Sequence, residues 1–191
     1  MSKYISFSPV FKYQGALFEV NGSAKRPYYT DLMKRILDQL TAFLSHHARS
    51  LVVMAVLTTK QWTRENTTIS KCISKLLANL KGKYALSRVG YVWCREQASS
   101  STQHYHLSLF LDGAKIRYPA KVLKTLGEYW NALTCGHVSW PERCYYYFHR
   151  SNTLVLCDVV YRLSYFAKVR TKERTPKYVN MFGSSRIRIN S

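Results

Sequence analysis

The longest apolar run in the chain is Leu51 to Leu57, rich in Val and unbroken by charge. It is less than half of the roughly 20 residues that cross a bilayer. It is short enough to be a buried strand, Leu51 to Thr58, and a buried strand needs neighbours. The hydrophobic periods around it supply them. Leu32, Ile36, Leu40 and Phe43 recur at helical spacing, which predicts a helix capped by Thr30 or Asp31 and running to about His46. Ile69, Ile73, Leu76 and Leu80 mark a second helix from Thr67, stopped at Gly82. Two strands follow, Ser87 to Glu96 and His104 to Leu111, joined by the polar turn Ala98 to Thr102. Pro119 opens a helix through Leu133, with Val122, Leu126 and Trp130 on its inner face and Gly136 after its end. Cys144 to Arg150 reads as an aromatic strand. Leu154 to Thr171 reads as a final helix, although Leu154 to Leu156 would also suit the extension of a strand.

The order helix, strand, helix, strand, strand, helix, strand, helix predicts an α+β fold. Its centre is a ferredoxin-like (RRM-like) β-α-β-β-α-β core: an antiparallel sheet with helices on one face, plus an added helix at each end. Residues 1–27, with Gly15, Gly22 and Pro27, form an arm with one short hairpin. Residues 28–175 form the domain. Residues 176–191 form a basic tail (Lys177, Arg186, Arg188), either a DNA-contacting arm or an edge segment.

Composition narrows the function. With 29 Lys and Arg against 10 Asp and Glu, the formal charge is +19. Such a molecule repels itself unless a polyanion neutralises it, so nucleic acid is the first partner to consider. An apolar fraction of 47% over 191 residues suits one domain with a proper core, not a disordered chain. Met1 to Val10 alternates polar and apolar residues, unlike a signal peptide. Five cysteines without a C-x-x-C pair argue against a disulfide framework and against a cysteine zinc site. The reading is a soluble, reduced, polyanion-binding domain.

The stretch Gln103-His104-Tyr105-His106-Leu107-Ser108-Leu109-Phe110 is the most informative. Alternate residues of a strand share a face, so His104 and His106 project side by side while Tyr105, Leu107 and Leu109 pack inward. Taken alone, the pattern also describes two surface histidines on an edge strand. Glu96 ends the preceding strand, and the hairpin brings it beside them. In a chain with so few acids, its alternative role is a surface salt bridge to Arg95 or Arg88, worth little. Two imidazoles and a carboxylate with open positions suit Mn²⁺ or, more weakly, Mg²⁺. Zinc accepts the same ligands.

A second constellation is Tyr161-Arg162-Leu163-Ser164-Tyr165-Phe166-Ala167-Lys168. On a helix, residues four apart stack, so both phenols face one way and Lys168 shares that face. A phenol titrates near pH 10, and a nucleophilic tyrosine needs a nearby cation to stabilise its phenolate. The metal, the lysine or both would serve. A core helix with aromatic packing has the same spacing, and 15 tyrosines make chance spacings easy.

Together these stretches resemble the HUH endonucleases, the rolling-circle initiators and relaxases. His104-Tyr105-His106 matches that family's His-hydrophobe-His strand, Glu96 stands where its third metal ligand stands, and Tyr161-x-x-x-Tyr165-x-x-Lys168 matches the two-tyrosine motif of phage-type initiators. Across roughly residues 28 to 175, GYVWCREQ, HYHLSLFLDG and VVYRLSYFAKVRTK are similar to filamentous-phage (inovirus) gene-two-like replication proteins and to the prophage YagK/YfjJ C-terminal domain family. The family's first motif is only loosely matched by Leu51 to Thr59.

The resemblance implies an enzyme that nicks and joins single-stranded DNA at an origin or hairpin of a phage, prophage or satellite, in the bacterial cytoplasm. A divalent metal on Glu96, His104 and His106 polarises the scissile phosphate. Tyr165 attacks first and Tyr161 second, through 5′-phosphotyrosine links, and Lys168 stabilises phenolate or phosphate. A host replication helicase is the implied protein partner. The rival expectation is a non-catalytic DNA-binding regulator on the same fold. Deaminase and P-loop chemistry lack their motifs. His46, His47 and His137 have no partner at metal spacing, and Tyr145, Tyr146, Tyr147 and Phe148 suit either base stacking or a buried strand.

Overall fold

The computed structural model describes residues 4–97, 101–172, 176 and 178–190. Residues 1–3 of the arm, 98–100 of the turn, 173–175, Lys177 of the tail and 191 lie outside the described residues.

The chain enters through four short strands: β1 (Ile5–Ser6), β2 (Val10–Tyr13), β3 (Ala16–Glu19) and β4 (Tyr28–Tyr29). β2 and β3 form the expected hairpin, and its turn puts Gln14 (φ 48°) and Gly15 (φ 84°) in the left-handed region that a two-residue hairpin turn requires. β4 runs straight into α1 (Thr30–His46). No side chain caps this helix, contrary to the expectation for Thr30 or Asp31. β1 pairs with β4 instead, so the Tyr4 carbonyl accepts the first helical N–H, from Thr30 at 3.0 Å.

Then follow β5 (Arg49–Thr58), α2 (Thr67–Tyr84), β6 (Gly90–Glu96), β7 (His104–Asp112), α3 (Ala120–Thr134), β8 (His137–Ser139), β9 (Tyr145–His149), α4 (Thr153–Ser164) and β10 (Phe182–Ser184). Gly82 does not stop α2. The helix continues to Tyr84, and Ala85 (φ 50°) takes the left-handed cap. Cys135 (φ 49°) does the same for α3. Gly136 is needed for another reason: a Cβ there would collide with the Thr58 carbonyl oxygen.

The main sheet runs β10-β6-β7-β5, and β5 pairs along its other edge with β8 and β9. Every pairing is antiparallel. The order β6-β7-β5-β9 is that of two interlocked split β-α-β units, the ferredoxin-like arrangement. β5 sends Leu51, Val53, Ala55 and Leu57 to one face and Val52 and Met54 to the other, all buried. Both faces therefore need cover. α2 and α3 lie on the first face through Ile73, Leu76, Val122, Leu126 and Trp130. α1 and α4 lie on the second through Ile36, Leu40, Phe43, Val159 and Leu163. The core helices share one face, as expected, and the added pair covers the opposite face. Each such buried side chain contributes about 1.5–3 kcal/mol. Among the described residues, no helix is long and apolar enough to cross a membrane.

The last helix departs from its expected span. Asn152 caps it by accepting from the Val155 N–H at 3.2 Å, so Leu154 to Leu156 are helical. It ends at Ser164, not near Thr171. Ser164 Oγ turns back to the Tyr161 carbonyl at 2.6 Å and accepts the Asn21 N–H at 2.8 Å, an alternative to continuing the helix. A 3₁₀ turn, Tyr165–Ala167, follows. Lys168 is then extended, bridged to Tyr28, while the Val169 N–H reaches the Pro27 carbonyl at 3.0 Å. The arm thus captures the chain where the helix would have gone on.

Two predictions follow from burial. Cys72 and Cys94 are buried and Cys135 and Cys157 exposed; burial pushes the Cys72 thiol up to about 12 and Cys94 upward too. Alkylation of the native protein at pH 8 with mass-spectrometric readout should label Cys135 and Cys157 and spare the buried pair until denaturant is added. Burial pushes the His47 imidazole down, although Asp112 beside it acts the other way. The unfolded chain then takes a proton near pH 6.5 that the folded one resists, so stability falls as pH drops below about 6.5. Urea melts of His47→Gln should show a flatter fall over that window.

Candidate metal centre and tyrosine cleft

β6 and β7 pair so that Glu96 faces His104 and Cys94 faces His106. The two-residue period puts all four on the α1/α4 face of the sheet. Tyr105 and Arg95 point to the opposite face, where Arg95 donates to the Thr63 carbonyl at 2.5 Å and lies near Tyr105 Oη and Asn66 Oδ1. Arg95 is therefore not the salt-bridge partner of Glu96.

Glu96 is buried. Its Oε2 lies 3.1 Å from His106 Nε2 and 3.6 Å from His104 Nε2. Its Oε1 accepts from Lys172 Nζ at 2.9 Å and lies 3.7 Å from Cys94 Sγ. Burial by itself would raise the Glu96 carboxyl, but the two imidazoles and the Lys172 charge outweigh it and hold the group well below the usual carboxylate range. Ligand atoms of Glu96, His104 and His106 all lie within 4.8 Å of one another. Ligands about 2.1 Å from an ion stand about 3 Å apart when adjacent, so the set fits one divalent cation. Lys172 occupies one carboxylate oxygen and leaves the other for the ion.

The tyrosines stand across the same face. A cleft of about 590 Å³ is lined by His106, Tyr161, Tyr165, Arg143, Arg162 and Tyr146, among others. Tyr161 and Tyr165 are 41% and 38% exposed. The Tyr165 ring sits edge-on to His106, centroids 5.9 Å apart, and Phe166 backs the same imidazole at 5.6 Å. Both phenols open into one cleft, as helical spacing predicts. Lys168 does not share the helix face, since the helix has already ended; its ammonium instead lies 3.3 Å over the Tyr165 ring centre.

A family model described as the YagK/YfjJ C-terminal domain matches residues 18–185. The chain belongs to that family. No curated protein and no solved structure matches it. The match takes in β10 and the last ten residues of the arm as well as the sheet and helices.

In this YagK/YfjJ C-terminal domain, sequence reasoning did not find Lys172. It is fully buried, and its Nζ also donates to the Lys168 carbonyl at 2.9 Å. One ammonium therefore ties the metal-ligand carboxylate to the segment bearing Tyr165 and Lys168. The only signal was a lysine four residues beyond Lys168, in a stretch where lysines are common. Arg143 was missed too; it lies in the cleft with φ 52°, on a turn whose Glu142 carbonyl accepts from Arg162 Nη2 at 3.2 Å.

Lys172→Met removes one partner of a buried pair, a change that costs about 3–5 kcal/mol. Thermal melts should show a lower Tm, and Mn²⁺ should restore more of it than it adds to wild type, because the ion becomes the remaining cation at Glu96. His104→Ala and His106→Ala should lose the Mn²⁺-induced rise in Tm. A rise that survives in both variants would place the ion elsewhere.

Proposed function

We propose that this chain is a metal-dependent endonuclease that nicks and rejoins single-stranded DNA, initiating rolling-circle replication through a 5′-phosphotyrosine intermediate. The observation that carries this reading is that two exposed phenols share one arginine-lined cleft with His106, a member of the carboxylate–imidazole triad. Metal triads alone, or tyrosine pairs alone, occur for many reasons. Their combination suits phosphoryl transfer, where an electrophilic centre and a nucleophile must stand on one face. The resemblance to HUH endonucleases points the same way.

A divalent ion on Glu96, His104 and His106 would supply polarisation of a phosphoryl oxygen. Tyr165, the phenol beside His106, attacks the phosphorus. The bond to the 3′ oxygen breaks as the bond to Tyr165 Oη forms. The phenol proton is lost to solvent and the departing oxygen gains one, leaving a 3′-OH. The link conserves the energy of the phosphodiester, so a free 3′-OH can reverse it without an external energy source. Lys168, over the Tyr165 ring, stabilises negative charge on that phenolate. Tyr161, one helical turn back in the same cleft, serves a second transfer. Arg143 and Arg162 hold flanking phosphates. The host supplies the helicase.

The test uses single-stranded oligonucleotides tiled over the DNA flanking the protein's own gene, with Mn²⁺. A DNA adduct resistant to detergent should form and, after nuclease digestion, leave a nucleotide on Tyr165. Tyr165→Phe should lower adduct formation by more than about a hundredfold while Tm holds. Tyr161→Phe should still nick but fail to join strands. Tight DNA binding with no adduct from wild type would make the protein a non-catalytic DNA-binding regulator.

A further inference from the structure

A groove of about 350 Å³ lies far from the cleft, lined by His46, Arg88, Arg186, Ile187, Arg188 and Ile189. Its construction is specific. Gln39, buried in α1, accepts from Ser185 Oγ at 2.7 Å and from the Ile187 N–H at 3.1 Å through one oxygen. The Tyr91 carbonyl accepts the Ser185 N–H at 2.9 Å. His46 Nε2 lies 2.8 Å from the Arg188 carbonyl, and Ser45 Oγ accepts the Asn190 N–H at 2.9 Å. Side chains thus clamp an extended tail segment in a fixed register. Ile187 turns to the core, and the two-residue period leaves Arg186 and Arg188 exposed beside Arg88. Among the described residues, none of the three arginines has a carboxylate at ion-pair distance. The groove brings together three cations, two of them on backbone held in a fixed register.

The position matters as much as the charge. Arg88 lies two residues before β6 and Glu96 ends it, and the six residue steps of the strand alone span about 20 Å. The two ends also differ in their rings. Trp62, 46% exposed, donates to Gln97 beside Glu96, and Trp140, 55% exposed, follows β8 at the Thr58 end of β5. Such rings stack on unpaired bases. Among the described residues, the one aromatic ring that lines the arginine groove is the His46 imidazole, which is engaged with the Arg188 carbonyl. Arginines without an exposed indole or phenol beside them suit a duplex, whose bases are stacked internally and whose backbone presents phosphates.

We propose that this groove is a second nucleic-acid site, which binds the phosphate backbone of duplex DNA independently of the cleft. It goes beyond the nicking reading and does not need it, because it requires neither metal nor tyrosine. The preordered tail lowers the entropic cost of engaging the phosphates, since the backbone that carries Arg186 and Arg188 is already held.

The test is fluorescence anisotropy with a blunt duplex of about 20 bp and with a short single-stranded oligonucleotide, both in EDTA so that no cleavage enters. The triple variant Arg88→Ala, Arg186→Ala, Arg188→Ala should bind the duplex at least about tenfold more weakly, with a log–log salt slope shallower by about 2 to 3, and bind the short single strand as wild type does. A control triple of exposed lysines on α2 and α3, Lys71→Ala, Lys75→Ala and Lys124→Ala, removes the same charge elsewhere. Melts of both variants should match wild type. The proposal is overturned if the arginine triple binds duplex like wild type, if it loses duplex and single strand by the same factor, or if the lysine control loses as much.

Discussion

Burying the Glu96 carboxylate is costly unless cations and donors surround it, and that requirement organises the site. Two imidazoles come from the adjacent strand, where register puts His104 opposite Glu96 and His106 diagonally beside it. The Lys172 ammonium comes from the other end of the domain and closes the arrangement. Because the same ammonium also holds the Lys168 carbonyl, satisfying the buried charge fixes the chain that follows Tyr165. Removing the carboxylate would loosen the candidate metal set and leave unpaired the ammonium that holds the segment after Tyr165.

This arrangement depends on a sheet covered twice. With α2 and α3 on one face, a plain β-α-β-β-α-β core would leave its second face open. Here α1, α4 and the arm close most of that face, and the cleft is the part they leave uncovered, between the end of α4 and the strands β5 and β7. The helix has to stop at Ser164 for this to happen. A longer helix would carry Lys168 past the sheet; the stop, and the bridge to Tyr28, bring its ammonium back over Tyr165.

Charge is not spread evenly in its consequences. At the triad end, arginines and exposed phenols line a cleft, and the exposed Trp62 indole donates to Gln97 beside Glu96. Beyond the opposite end of β6, Arg88 and the arginines of a clamped tail stand, among the described residues, with His46 as the one aromatic ring lining their groove. A net charge of +19 draws in any polyanion. On the proposed reading, the groups that accompany the charge decide which form of nucleic acid is held where.

Much was legible in the residues themselves. The apolar run at Leu51, the helical periods and the aromatic strand at Tyr145 determined the order of elements and the α+β class, because period and length are local properties of a chain. The H-x-H strand and its hairpin to Glu96 placed the triad on one face for the same reason: alternation in a strand is exact, and a hairpin sets its own register. Tyr161 and Tyr165 were paired by helical spacing that the fold retains. What the sequence could not carry is whatever depends on contacts between distant segments. The end of α4 is decided by Asn21, Pro27 and Tyr28, well over a hundred residues away. The Glu96–Lys172 pair spans 76 positions, and the clamp of Gln39 on the tail spans 148. Local propensity is silent on such partners, since only the closed tertiary structure determines which buried polar group meets which.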